Sequence, residues 1–160
     1  MREGLLQILC AGLGTVAFAL FFHVRSRHLL LATLGGALSW LLYLLVLGRD
    51  HNVFLSALVA SMGICLWAET LARLRKAPAN IFLIPGIIPL LPGGALYYTM
   101  NALINGDMAT VIQKGKETGL VALGIVGGIL IASELMRVIL WGMVHRKKAV
   151  QRRWERSGGQ

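Results

Sequence analysis

The segment IFLIPGIIPLLPGGALYYTM, residues 81–100, is apolar enough to enter a bilayer, yet it carries Pro85, Pro89 and Pro92 together with Gly86, Gly93 and Gly94. It cannot form an unbroken helix. Each interior proline removes a backbone hydrogen bond and sets its ring against the carbonyl four residues back, at ~3 kcal/mol or more. Within a membrane, backbone groups freed in this way are tolerated only where protein buries them or a watery cavity solvates them. The segment is therefore expected to line something polar.

The remainder of the chain supplies the membrane. With 56% hydrophobic residues, a mean hydropathy of +0.69 and only 14% charged residues, the composition lies outside that of soluble domains. Near-continuous apolar runs fall at about 4–22, 29–47, 53–74, 81–104 and 119–144, each close to or above the ~20 residues needed to cross the hydrocarbon core. These predict an all-α, polytopic protein with five transmembrane helices, the fourth broken. Residues 1–145 form the transmembrane domain and 146–160 a basic tail. The first run lacks a small-residue cleavage site and is followed by HVRSRH, so it reads as a retained span.

Orientation follows from lysine and arginine, which are enriched in short cytoplasmic loops. With the N-terminus outside and the C-terminus in the cytoplasm, eleven of these residues fall inside: Arg25, Arg27, Arg73, Arg75, Lys76, Arg146, Lys147, Lys148, Arg152, Arg153 and Arg156. Only Arg2, Arg49, Lys114 and Lys116 remain outside. A fourth segment that dipped in and returned on the same side would erase the asymmetry, so a full crossing is expected. The net charge of +9 then reflects topology and anionic lipid at the tail rather than nucleic acid.

A helix broken in mid-membrane suits a carboxylate ligand. Pro92 lies twelve residues beyond Asn80, or ~18 Å at helical rise, near the middle of the bilayer. A second half-helix starting there would have Pro92 at a position that needs no amide, with Gly93 and Gly94 leaving backbone donors accessible. The positive end of such a half-helix attracts a substrate carboxylate. The carbonyls of Ile81, Pro85 and Ile88, orphaned by the prolines, are candidates for a cation or a substrate ammonium. Pro85, Gly86, Pro89, Pro92, Gly93 and Gly94, with Tyr97 and Asn101 one turn apart beyond them, make up the candidate substrate site. A kinked helix whose prolines only shape packing is the plainer alternative.

Ionisable residues within the apolar runs are the second signal, because charge in hydrocarbon costs a few kcal/mol even on lenient scales. Glu134 and Arg137 are three apart in the last span, where Glu134 is either a proton-coupling carboxylate or half of a local ion pair. Glu69 stands one turn before Arg73 near the inner boundary, where an i,i+4 pair is the commoner explanation. WAETLAR and ASELMR share the pattern of an acid followed by an arginine one turn later, too short a match to establish a repeat. Gly124, Gly128 and Ala132 form a small-residue face for close helix approach, with packing the default reading and a partner subunit the alternative occupant. Cys10 and Cys65 lie inside apolar runs and read as packing residues rather than a disulfide. The four histidines sit at span ends without metal-ligand spacing, and no cofactor or metal is expected.

RLRKAPANIFLIPGIIPLLPGGALYYTM, residues 73–100, resembles the small, five-span members of the threonine/serine exporter family, and is similar to the small subunit of two-component succinate exporters. The resemblance rests on Lys76-Ala77-Pro78, on Ile84 through Pro89, on Pro92-Gly93 and on the aromatic pair Tyr97 and Tyr98. FHVRSRHLLLATLGGALSW, residues 22–40, extends it, so that similarity runs over about 5–141. It implies a subunit of a secondary-active exporter of threonine, serine or a small dicarboxylate such as succinate, in the bacterial cytoplasmic (inner) membrane. It further implies a larger five-span partner with a soluble extension, a homo-oligomer being the alternative assembly. An enzyme is disfavoured, since no nucleophile, acid/base pair or metal set accompanies the serines of the spans. A non-transporting assembly or regulatory subunit is the stronger competitor, because five spans supply half of the usual transporter symmetry. The proton gradient is the expected energy source, and without a nucleotide-binding loop direct ATP drive by this chain is not expected.

Overall fold

The computed structural model describes the backbone of residues 2–157 and the side chains of residues 3–139 and Trp141. Within these residues the chain is all-helical. Helix α1 spans Arg2–Phe21, α2 Ser26–Asp50 and α3 Val53–Arg75. The broken segment follows as α4, Asn80–Ile87, a 3₁₀ turn at Ile88–Leu90, and α5, Gly93–Ile104. Helix α6, Met108–Ser157, closes the chain.

Four helices are long and apolar enough to cross a membrane by themselves, and the broken segment makes a fifth if its halves are taken together. Those halves meet at an angle of 49°. The chain changes direction elsewhere through short turns fixed by local chemistry. Lys76 and His51 take the left-handed conformation (φ 50°) that ends a helix. The Asn52 side chain caps α3 by accepting from the amides of Phe54 and Leu55 at 3.0 and 3.3 Å.

The packing settles the path of the broken segment. Helices α3 and α6 run parallel. Gly124 lies against Phe54 and Ala57, Gly128 against Leu58 and Ser61, and the Cys65 thiol lies 3.8 Å from the Ile129 carbonyl. Met108 therefore starts at the Val53 end of the bundle, whereas Asn80 starts at the Arg75 end. The broken segment joins the two ends. Its 3₁₀ turn and two half-helices rise by ~36 Å along their own axes, enough for a hydrocarbon core ~30 Å thick.

The helices approach closely because the contact residues are small, which is how membrane helices gain van der Waals contact when lipid is as apolar as the core. Ala57, Ala60, Ala68 and Ala132 are fully buried. A Cβ at residue 124 or 128 would press on the α3 backbone itself, on the carbonyls of Phe54 and Leu58 respectively. The Gly124, Gly128, Ala132 face is thus packed on α3 of the same chain, as its default reading expects, and not left for a partner subunit. A correction concerns the connection before the last span. Residues 108–118, expected as loop, belong to α6, and the loop shrinks to Asn105, Gly106 and Asp107. Asp107 accepts from the amide of Thr110 at 3.2 Å and from its hydroxyl, and Gly106 supplies the left-handed φ of 73° that the tight turn needs. The side chains of the basic tail, 146–160, lie outside the described residues.

Candidate functional site at the broken span

The break is built by three prolines and sealed by one serine. Pro85 and Gly86 are buried, and a Cβ on Gly86 would collide with Ile64 while approaching the amide of Gly36. Here α4 crosses α2 at its closest. The Ser39 hydroxyl lies 2.8 Å from the Gly36 carbonyl in its own helix and 2.9 Å from the Gly86 carbonyl across the crossing. Among the carbonyls freed by the prolines, that of Ile88 accepts from the Leu91 amide at 3.1 Å, so the 3₁₀ turn satisfies it locally.

Beyond Leu91, which is extended (φ −62°, ψ 131°), Pro92 precedes α5 as its N-cap residue. The Gly93 amide turns back to the Leu91 carbonyl at 2.8 Å, and the Leu96 amide reaches the Pro92 carbonyl at 2.9 Å. Between them the amides of Gly94 and Ala95 find no acceptor among the described backbone bonds, as expected of a first helical turn. A Cβ on either glycine would meet nothing within 4 Å. The space in front of this turn is open.

That space is a cavity of about 180 Å³, bounded on one side by Pro89, Leu91, Pro92, Gly93 and Gly94. Helix α2 contributes Trp40 and Tyr43, and α6 contributes Glu117. The volume is that of about six waters at ~30 Å³ each, or of one small amino acid. The Trp40 and Tyr43 rings stack at 5.2 Å, one turn apart on α2. The indole Nε1 of Trp40 is buried and has no hydrogen-bond partner. Glu117 is paired with Lys114 at 2.8 Å, one turn earlier on α6, and both side chains are about one-third exposed. The first turn of α5, with its free amides, the Trp40 and Tyr43 rings and a carboxylate thus border one small volume.

Of the candidates read from sequence, Pro89, Pro92, Gly93 and Gly94 line this cavity. Pro85 lines a different and larger groove of about 400 Å³ between the α1–α2 turn and the start of α4, with Phe22, Arg25 and Ile84 among its walls. Gly86 faces the α2 crossing. Tyr97 is 66% exposed and packs edge-to-face on Tyr98, and Asn101 is exposed near the end of α5, where its carbonyl accepts from the Asn105 side chain at 2.9 Å. The structure does not bring these two to the cavity. Glu134 and Arg137 pair at 3.1 Å on an exposed face of α6, beside the exposed Leu130, Ile131 and Val138. Glu69 and Arg73 pair at 3.0 Å near the end of α3.

Three cavity residues, Trp40, Tyr43 and Glu117, escape the sequence reading. Trp40 and Tyr43 stand three apart on an otherwise apolar helix, a spacing that marks one face. Glu117 is hidden by its setting in a polar stretch that reads as loop.

Residues 7–135 match the family model described as Threonine/Serine exporter, ThrE. The chain belongs to the threonine/serine exporter family. The match covers α1 through most of the membrane portion of α6, and so includes every residue that lines the cavity. No curated protein and no solved structure matches the chain. Family and fold together establish a multi-pass membrane protein of transport type.

Proposed function

We propose that this chain is a subunit of a secondary-active exporter that carries threonine, serine or a similarly small carboxylate out of the bacterial cytoplasm by alternating access. The observation that carries this reading is the cavity at the break of the fourth span. It lies about halfway along the broken segment, between its two half-helices, the kind of element at which secondary transporters hold substrate. The free amides of Gly94 and Ala95 receive the substrate carboxylate, aided by the positive end of α5. The stacked Trp40 and Tyr43 form the apolar wall against which a short side chain rests.

The proton gradient is the energy source in this reading, and a larger five-span subunit with a soluble extension supplies the second half of the pathway. Glu134 is retained as a candidate proton carrier on the exposed face of α6, where a partner helix would cover it. Such a subunit would be needed because five spans supply half of the usual transporter symmetry.

Efflux from vesicles preloaded with labelled threonine, serine or succinate tests the proposal. The chain alone, the chain with a larger five-span partner, and the partner alone are compared. Efflux confined to the pair is the expected result and names the substrate. Unimpaired export by a chain carrying both Pro92→Ala and Glu134→Gln contradicts the assigned roles. A chain that supports no efflux of any of the three solutes, with or without its partner, is an assembly or regulatory subunit instead.

A further inference from the structure

The cavity at the break holds a carboxylate on α6 that no sequence motif announces. Glu117 lines the same small volume as the free amides of Gly94 and Ala95, and its Oε2 is held by the ammonium of Lys114 at 2.8 Å. A lysine ammonium and the ammonium of an amino acid are the same chemical group. Lys114 is only about one-third exposed but sits on a flexible stem, so it can leave without moving the backbone.

We propose that Glu117 is the ammonium-binding residue of this site and that Lys114 occupies its carboxylate when the site is empty. The proposal rests on the reading of the cavity as a substrate site and sharpens it. The amides at the start of α5 draw in a carboxylate, while Glu117 draws in the ammonium and repels a second carboxylate. The site therefore takes an α-amino acid and rejects a dicarboxylate. Exchange of one ammonium for another keeps Glu117 paired throughout, so the empty cavity never holds a lone carboxylate.

Binding of labelled threonine to the purified full chain, in detergent and with its partner where one is needed, is measured for wild type, Glu117→Gln and Lys114→Met. Succinate and 3-hydroxybutyrate, which lacks the amino group, serve as competitors. Thermal melting of each variant confirms that it is folded. The expected result is that Glu117→Gln weakens threonine binding by about tenfold or more and narrows the preference over 3-hydroxybutyrate. Lys114→Met tightens threonine binding by removing its competitor, an effect that a merely structural ion pair would not give. Threonine binding that is unchanged in Glu117→Gln, or succinate that competes as well as threonine in wild type, overturns this proposal and leaves the transport reading intact. Absence of threonine binding by wild type, with or without the partner, overturns both.

Discussion

The Ser39 hydroxyl lies 2.9 Å from the carbonyl of Gly86, a residue 47 positions later, and this contact pins the broken span to α2 at the point where the proline defects begin. Both residues are buried. The contact is long-range, polar and surrounded by apolar packing, so the Gly86 carbonyl has no water to turn to if the hydroxyl is removed. Ser39→Ala is expected to lower stability by about 1 kcal/mol, in the range seen for hydrogen bonds between membrane helices. Thermal melting of the purified protein reads the loss directly.

Glycines at the crossings and glycines at the break respond oppositely to substitution. At residue 128 any side chain meets the Leu58 carbonyl and the Ser61 hydroxyl on α3, and backbone cannot yield. Gly128→Leu is expected to cost at least about 3 kcal/mol, at the upper end of overpacking effects. Gly93→Ala and Gly94→Ala meet nothing and replace a poor helix former, so their stability should stay within about 1 kcal/mol of wild type. Their added methyl groups stand at the cavity, and export should fall although the fold does not. Melting temperatures beside efflux rates separate the two classes.

The contrast shows what was legible in the chain. The apolar runs and the proline cluster dictate a helical membrane protein with a broken fourth segment, because hydrocarbon leaves the backbone no other choice. The glycine spacing of the last span announces close approach but not the identity of the neighbour. The neighbour is α3, through contacts across 63 and 64 residues, which no local pattern encodes. The carboxylate of the cavity was equally hidden. Glu117 follows QKGK in a stretch whose polarity resembles a loop, and only the docking of α6 beside α5 brings it opposite Gly94. Glu134, conspicuous in sequence within an apolar run, stands on an outer face. Periodicity reports how each helix is built, and tertiary packing decides which residues meet.

The start of α6 carries a pH-sensitive cap. Asp107 lies outside the membrane-spanning segments, and the hydroxyl and amide of Thr110 bond its carboxylate, holding it below the ordinary value of 3.8. A carboxylate depressed in the folded state contributes stability that is present above the unfolded value and lost as pH falls through the folded one. The native cap should therefore survive at neutral pH and weaken only below the usual carboxylate range. Asp107→Ala should be less stable than wild type at neutral pH, and the gap should close as pH drops below 3.8. Melting of the two proteins across that acid range measures it, and a gap independent of pH would assign the cap to packing rather than charge.

The ends of the bundle predict which side faces the cytoplasm. The turns after α1 and α3 gather Arg25, Arg27, Arg73, Arg75 and Lys76 at one end, while the turns at residues 50–52 and 105–107 bring Asp50 and Asp107 to the other beside Arg49. Lysine and arginine near span ends are retained on the cytoplasmic side, whereas acidic residues have little influence. Parallel packing of α3 and α6 fixes the relation between the two ends independently of that rule, because it makes the broken segment a full crossing. In a chain with Cys10 and Cys65 replaced by alanine, a single cysteine at residue 106 should react with an impermeant maleimide added to intact cells, and a single cysteine at residue 77 should react only after the membrane is opened. The opposite pattern would invert the orientation while leaving the crossing intact. Labelling of both from the same side would mean that the broken segment turns back.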